Sequence, residues 1–164
     1  MDIDQSKLVL LNGSLDEVKS ALKAFEINSF DKHGSNILHY YVKNNEAIKL
    51  PAEDIIQLFI DFGININLNQ SKNLKKAALH FAVLCNARNI FDILLKKGAD
   101  VNIKDANGNT ALSDAVFTYR GDDGYFIETL IASGADVDLI NNYGVSPKSL
   151  AETIANYDTK KFFR

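Results

Sequence analysis

The sequence predicts an all-α fold in which short helix pairs stack into a solenoid, with a short β-hairpin finger between successive pairs. Three observations lead to this prediction. A five-residue segment that begins with glycine recurs at 63–67, 98–102 and 134–138, and its glycines are 35 and 36 residues apart. A second motif alternates with it and starts at Gly34, Lys75, Gly108 and Gly144. Each interval also holds two short apolar stretches, and a fixed period of this length is typical of stacked repeats.

The second full copy shows how one unit is built. Residues 77–84 form an apolar-rich first helix, Asn86 interrupts it, and residues 89–95 carry apolar side chains at helical spacing. The Lys-Lys-Gly98 ending then predicts the end of the second helix. Cations suit the negative end of a helix, and glycine suits the left-handed position that follows it.

Start and turn signals mark the other units. Pro51 and Pro147 each fit the first position of a helix, where the missing N–H would have no partner anyway. Ser14 and Glu17 have the spacing of a capping box in the N-terminal segment. The Asn-Gly pair that starts at Asn107 is preferred in tight hairpin turns, so we expect a two-stranded finger there.

These motifs resemble those of the ankyrin-repeat family over nearly the whole chain. Segments 77–80 (AALH) and 110–113 (TALS) are similar to the family's Thr-Pro-Leu-His signature, and 98–102 (GADVN) matches its inter-repeat sequence. The Thr-Pro pair is lost in the first two copies, and histidine gives way to serine in the last two. The resemblance implies a single ankyrin-repeat domain over 1–164, with an N-terminal cap at about 1–30, units at 31–67, 68–102 and 103–138, and a C-terminal cap at 139–164.

The composition is that of an ordinary globular protein of 164 residues, with 46% apolar and 24% charged residues. Eighteen basic against 21 acidic residues give a net charge of −3, which predicts no nucleic-acid partner. The acidic start does not fit a signal peptide, and no apolar stretch is long enough to span a membrane. A single cysteine, Cys85, cannot form an intramolecular disulfide and favours a cytoplasmic protein. We expect this protein to be a monomer.

Few residues offer catalytic or metal-binding chemistry. His39 and His80 occupy equivalent repeat positions, where the family resemblance implies a structural clip to local backbone and to a neighbouring loop. His33 falls at a finger tip and is either solvated or in contact with a partner. The adjacent Asp122 and Asp123 could form a solvated turn, a partner contact or a cation site, although they lack the pattern of a calcium loop. No catalytic or nucleotide-binding motif occurs, so we predict a non-enzymatic protein with no cofactor and no metal.

The family resemblance implies protein–protein recognition on the concave and finger surface of the stack, and a preorganised surface loses little conformational entropy on binding. The predicted contact residues are His33, Lys72, Asn73, Lys76, Asn107, Asn109 and Tyr143 in the fingers and Phe117, Tyr119 and Arg120 on a first helix. The three lysines of 72–76 could equally belong to a solvated finger. Leu94 and Leu112 are expected to be buried between units, and Phe162 with Phe163 to seal the last helix pair.

Two functions are compatible with this surface. With no second domain after Met1, the chain resembles small stand-alone bacterial ankyrin proteins, some of which are immunity proteins that block a toxin or other effector. The alternative is an ankyrin protein that binds a small molecule or nucleotide, in which Lys72, Lys75 and Lys76 hold phosphate and an aromatic side chain holds the base.

Overall fold

The computed structural model describes residues 2–121, 123–154 and 158–163. Within these ranges the chain forms nine α-helices and one 3-10 helix, and it contains no β-strand. The chain divides into two compact units, Met1–Ala99 (unit 1) and Asp100–Arg164 (unit 2). In the described ranges, no helix combines the length and the apolarity that a bilayer crossing requires.

Unit 1 is a serial stack of three helix pairs. Its helices are α1 (Ile3–Asn12), α2 (Leu15–Leu22), α3 (Ile37–Lys43), α4 (Ala52–Asp61), α5 (Ala78–Leu84) and α6 (Arg88–Lys96). The first helix of the middle pair, α3, contacts both α1 and α5, and the second helices α4 and α6 contact each other. Each pair is thus covered by its neighbours in chain order, as expected for stacked repeats.

Unit 2 continues the same pattern with α7 (Ala111–Thr118), α8 (Tyr125–Ala132), α9 (Pro147–Thr153) and a 3-10 helix (Lys160–Phe163). Helix α7 contacts α8, its own partner, and α9, the first helix of the following pair. The 3-10 helix contacts α9.

Local sequence signals start several of these helices. The Ser14 N–H donates to Glu17 Oε2 at 2.7 Å, and the Glu17 N–H donates to Ser14 Oγ at 3.3 Å, which confirms the capping box. Pro147 opens α9, as its position in the sequence indicates. Pro51 lies one residue before α4 instead of at its first position, and its φ of −59° leads directly into the helix.

A repeated asparagine ties neighbouring inter-repeat loops together. In unit 1, Asn28 Nδ2 donates to the Gly63 carbonyl at 2.9 Å, and Asn28 Oδ1 accepts from the Asn65 N–H at 2.8 Å. In unit 2, Asn102 makes the equivalent bonds to Gly134 and Asp136, at 3.5 and 2.8 Å. One side chain thus satisfies a backbone donor and a backbone acceptor of the following repeat.

The expected two-stranded fingers are turns and not β-hairpins in the described residues. At 105–109, the Asp105 N–H donates to the Asn109 carbonyl at 2.8 Å, and the Gly108 N–H donates back to the Asp105 carbonyl at 3.0 Å. The Asn107 N–H donates to the Asp105 carboxylate instead of to an opposite strand. So few cross-turn backbone bonds do not extend into a strand ladder, although the Asn-Gly sequence does mark a tight turn.

Both leucines that were expected to be buried are fully buried, Leu94 on α6 and Leu112 on α7. We expect Leu94→Ala and Leu112→Ala each to lower the free energy of unfolding by roughly 2–5 kcal/mol, because each leaves a cavity in a packed interior. Urea unfolding curves measure this effect. Lys160→Ala, at an exposed position, is the control and should change the midpoint very little. Unchanged midpoints for both leucine variants would contradict the repeat packing.

Candidate partner-binding surfaces

The finger turns are built around one acidic or amide side chain. In the first finger, Asp31 Oδ1 accepts from the N–H groups of His33 and Ser35, both at 2.9 Å. This arrangement fixes the turn and leaves His33 exposed at its tip. The same geometry recurs around Asp105, with Asn107 and Asn109 as donors, and around Asn141, with Tyr143 and Val145 as donors.

The second finger departs from this pattern. Gln70 stands where the other fingers have Asp or Asn. Its N–H donates to the Lys76 carbonyl at 3.1 Å, so this turn is two residues longer than the turns of the other fingers. Asn73 and Lys75 take left-handed backbone angles, with φ of 58° and 50°, which cost more for lysine than for the glycine in the other copies. The buried Gln70 side chain donates to Ser35 Oγ at 2.8 Å.

Besides the Gln70–Ser35 bond, three further hydrogen bonds join the first two fingers into one edge. The Ser71 N–H donates to the Gly34 carbonyl at 2.9 Å, Lys72 Nζ to the Lys32 carbonyl at 3.0 Å, and Asn73 Nδ2 to the His33 carbonyl at 3.2 Å. We define the finger edge of unit 1 by six exposed residues of this segment: Lys32, His33, Lys72, Asn73, Leu74 and Lys75. Three of the predicted contact residues, His33, Lys72 and Asn73, therefore lie side by side.

The two fingers of unit 2 are joined in a similar way. The Asn142 N–H donates to the Asn107 carbonyl at 3.0 Å, and Asn141 Nδ2 donates to Asn109 Oδ1 at 2.7 Å. Asn107 and Asn109 are partly exposed, and Asn109 uses its amide oxygen within the unit. Tyr143 is 74% exposed at the tip of its turn.

A face on the first helices of unit 1 was not predicted from the sequence. Lys7 Nζ lies 5.2 Å from the centre of the Tyr40 ring, and Lys43 Nζ lies at the same distance from the Phe81 ring. Together with the exposed Leu84, these four residues define the first-helix face of unit 1. Its signal in the sequence is an aromatic residue directly after each repeated histidine, at positions 40 and 81.

Lys7 connects this face to the first finger. Its Nζ lies 2.6 Å from Asp31 Oδ2 and 3.0 Å from Asp4 Oδ1. Burial acts to raise the Asp31 pKa, but the hydrogen bond from Lys7 and the two turn N–H groups outweigh it and hold that pKa below its usual range. Asp31 is therefore a charged, fully engaged acceptor and not a free carboxylate.

Two predicted contact residues are buried, which corrects the expectation for both. Lys76 is 7% exposed, because its carbonyl closes the second finger and the residue leads into the buried start of α5. Tyr119 is 5% exposed, because its ring packs edge-on against Phe162 with the ring centres 5.4 Å apart. Lys161 Nζ also donates to the Tyr119 hydroxyl at 3.1 Å, so the 3-10 helix covers this side chain.

The other two residues predicted on this first helix are exposed, although α7 ends at Thr118, and Tyr119 and Arg120 lie just beyond it. Phe117 is 64% exposed. Arg120 is also exposed, and its Nη1 donates to the carbonyls of Phe117 and Tyr119 at 2.9 and 2.7 Å, which satisfies acceptors at the end of the helix. Asp122, one of the two residues considered for a cation site, lies outside the described residues.

Comparison with known proteins decides the family. A family model described as ankyrin repeats (three copies) matches residues 7–105 and 52–141. The chain belongs to the ankyrin-repeat family. Ankyrin repeats generally mediate protein–protein interaction and are not themselves catalytic.

Several longer proteins are similar to this ankyrin-repeat chain. A probable serine/threonine-protein kinase of Dictyostelium discoideum is 34% identical over 130 residues, which cover 70% of the chain and 14% of the kinase. The nuclear factor NF-kappa-B p105 subunit of Gallus gallus is 31% identical over 120 residues, which cover 71% of the chain and 12% of that subunit. The E3 ubiquitin-protein ligase KEG of Arabidopsis thaliana is 27% identical over 126 residues, which cover 75% of the chain and 7% of the ligase. The chain thus spans at most about a seventh of each of these proteins, and the activities in their names belong to those longer proteins.

The repeated histidines of the ankyrin repeats are structural. His39 Nδ1 accepts from the Asn36 N–H at 3.1 Å, so the proton is on Nε2, which donates to the Leu68 carbonyl in the next loop at 2.8 Å. His80 Nδ1 accepts from the Ala77 N–H at 3.2 Å in the same way. Both rings are fully buried. These bonds confirm the expected clip to local backbone and, for His39, to a neighbouring loop.

Other clefts and clusters do not involve the predicted contact residues. A cleft of about 650 Å³ follows α1 and α2, and one of about 380 Å³ lies between the α3–α4 loop and the start of α6. Neither is lined by a predicted contact residue. The part of the chain that the structure describes contains no group of three residues able to hold a metal. Lys72 and Lys75 are exposed but Lys76 is buried, so the lysines expected at a phosphate site do not share one accessible surface.

The buried His39 makes stability depend on pH. Burial is the main reason that its pKa falls from 6.5 to about 4, although the hydrogen bond to Leu68 acts in the opposite direction. Between these pH values the unfolded chain binds more protons than the folded chain. The contribution of neutral His39 is therefore fully present above about pH 6.5 and is lost as the pH falls towards 4.

We expect the free energy of unfolding to fall by up to roughly 3 kcal/mol through this group as the pH is lowered across that window. Urea titrations at several pH values measure the slope. His39→Gln should flatten the slope relative to the wild type, whereas His33→Gln, at an exposed histidine, should leave it unchanged. The same slope in both variants would show that His39 does not carry the effect.

Proposed function

We propose that this chain binds a partner protein through the finger turns and first helices of its two units and carries out no catalysis of its own. The observation that supports this is the placement of exposed apolar side chains. Every large hydrophobic residue that is more than a third exposed in the described ranges lies on a first helix, in a finger turn or directly before one, and none lies on a second helix. These residues are Leu8, Phe30, Leu74, Leu84, Phe117, Ile140 and Tyr143.

Such side chains are good anchors for a protein partner. Phe117 and Tyr143 are large and rigid, so burying them against a partner gains apolar contact at a small cost in side-chain entropy. Their backbones are already fixed, Phe117 at the last turn of α7 and Tyr143 in a turn held by Asn141. Binding a partner therefore has to order few additional groups of this chain, so the loss of conformational entropy is small.

A narrower proposal concerns the identity of the partner. We propose that it is a toxin or other effector whose active site the chain covers, so that the chain acts as an inhibitor or immunity protein. What supports this is the resemblance to small bacterial ankyrin proteins with that role. In this role the chain works as a monomer in the cytoplasm, with neither nucleic acid nor membrane as a partner.

The proposal is tested on a partner that is first captured from the native source and identified by mass spectrometry. Leu84→Ala, Phe117→Ala and Tyr143→Ala are expected to raise the Kd for the purified partner, by about tenfold or more for those that serve as anchors. The Tm should stay within a few degrees, because all three side chains are exposed. Isothermal titration calorimetry measures the affinity.

Lys19→Ala on α2 and Glu128→Ala on α8 are the matched controls, because both are exposed residues of second helices. They should leave the Kd unchanged. If the three apolar variants bind as tightly as these controls do, the partner uses another surface. The proposed binding site on the finger turns and first helices is then wrong. For the narrower proposal, the partner's own activity is measured with and without the chain, and undiminished activity in the complex rules out inhibition.

A further inference from the structure

We infer that the finger edge of unit 1 recognises an acidic segment of a partner protein. This inference rests on the proposed function and specifies the chemistry of one part of its binding surface. The edge consists of Lys32, His33, Lys72, Asn73, Leu74 and Lys75 from two neighbouring fingers. It presents three ammonium groups around one exposed leucine.

The charge of this edge is not balanced within the unit. Lys32, Lys72 and Lys75 are exposed, and none of them has a carboxylate partner among the described residues. Some lysines elsewhere in unit 1 are paired, since Lys7 contacts Asp4 and Asp31 and Lys97 contacts Glu53 at 3.1 Å, but within the described part of the unit only the finger edge brings three unpaired lysines together on two joined turns. A local excess of positive charge thus exists in a chain whose net charge is −3. Carboxylates of a partner are the complementary groups, and such complementarity favours both encounter and specificity.

The acid next to this edge in the sequence does not neutralise it. Asp31 precedes Lys32, but its carboxylate is bound to Lys7 Nζ at 2.6 Å and to two turn N–H groups. The Asp31 side chain is almost buried. It therefore holds the turn together and is not available as a counterion for Lys32.

The hydrogen bonds between the two fingers fix the position of one basic group, the Lys72 ammonium, and hold the two turns together. Lys72 Nζ donates to the Lys32 carbonyl at 3.0 Å, and Asn73 Nδ2 donates to the His33 carbonyl at 3.2 Å. An ammonium group has three donors, so Lys72 keeps two for a carboxylate oxygen. Because the chain has already ordered this side chain, binding an anionic group there costs less entropy than at a freely moving lysine.

The surroundings favour a peptide over a nucleic acid. Leu74 is exposed between Lys72 and Lys75, and it suits an apolar side chain of a protein segment. Three lysines neutralise only a few phosphates, and the acidic chain as a whole repels a polyanion of high charge density.

The test uses the full chain and three probes. The first is a short synthetic glutamate peptide with leucine at every third position, and the second is the same peptide with glutamine in place of glutamate. The third is single-stranded polythymidine. Fluorescence anisotropy at low and at high salt gives the affinities, and backbone amide shifts in NMR spectra locate the bound peptide.

Charge reversal of the finger edge is compared with a matched reversal elsewhere. The finger variant carries Lys32→Glu, Lys72→Glu and Lys75→Glu, and the control carries Lys19→Glu, Lys23→Glu and Lys49→Glu at exposed positions outside the edge. Both triple variants change the net charge by the same amount. The Tm of each variant shows whether the reversed charges disturb the fold. If they do, a finger variant with Lys→Gln at the same three positions replaces the charge-reversed one.

We expect the glutamate peptide to bind wild type and control alike, to shift the amides of the finger edge, and to bind the finger variant at least about tenfold more weakly. The affinity should fall as salt rises, and the glutamine peptide should not bind. Equal weakening in both triple variants, shifts that avoid the finger edge, or no binding of the glutamate peptide would overturn the inference. Tighter binding of polythymidine than of the peptide would overturn it in favour of nucleic acid.

The captured partner separates this inference from the proposed function. If its binding is weakened by Phe117→Ala and Tyr143→Ala but not by the finger variant, the acidic-segment inference is wrong and the proposed function stands. If none of these substitutions changes partner binding, the proposed function fails as well.

Discussion

The helices of this protein are too short to be stable alone, so each must be covered by the next pair along the chain. The α-helices have only seven to ten residues, a length at which an isolated helix is marginal in water. Helix α3 shows the consequence, because it lies against α1 and α5 and buries Ile37, Leu38 and Val42 almost completely. The stacking fixes which side of each helix pair remains available. It leaves the turns and the outer side of the first helices for contact with other molecules.

Polar side chains complete the stack where apolar packing ends. The His39 ring joins the start of α3 to the Leu68 carbonyl, and Asn28 joins its loop to both Gly63 and Asn65. Each of these groups satisfies backbone donors or acceptors that a loop would otherwise leave to water. These bonds hold the inter-repeat loop that leads into the second finger. That finger can therefore present side chains in fixed positions, and a binding surface requires such preorganisation.

The fingers of unit 1 combine this rigidity with an uncompensated charge. Substitution of Gln70 for the usual Asp or Asn goes together with a longer turn, and that turn carries Lys72 and Lys75. The buried Gln70 side chain donates to Ser35 and so holds the longer turn in place. Lys72 and Lys75 remain exposed to solvent. A departure from the repeat pattern has thus produced the most basic part of the unit. Departures of this kind are where a repeat protein can acquire a specific partner, since the regular positions are occupied by the packing.

The sequence alone determined the repeat, the helix pairs, the capping box at Ser14 and the burial of Leu94, because these features depend on spacing within a few turns of chain or on identical positions in successive copies. The histidine clips were expected from the resemblance to the ankyrin-repeat family. The sequence did not determine the burial of Lys76 and Tyr119, the turns in place of hairpin strands, or the pairing of Lys7 and Lys43 with aromatic rings. The covering of Tyr119 by Phe162 and the lysine–ring pairs depend on residues far apart in the chain, and the turns depend on how few backbone bonds cross each finger. A local pattern identifies a residue's element and face. Whether its side chain meets water or a neighbour is decided only when the neighbouring segments pack against it.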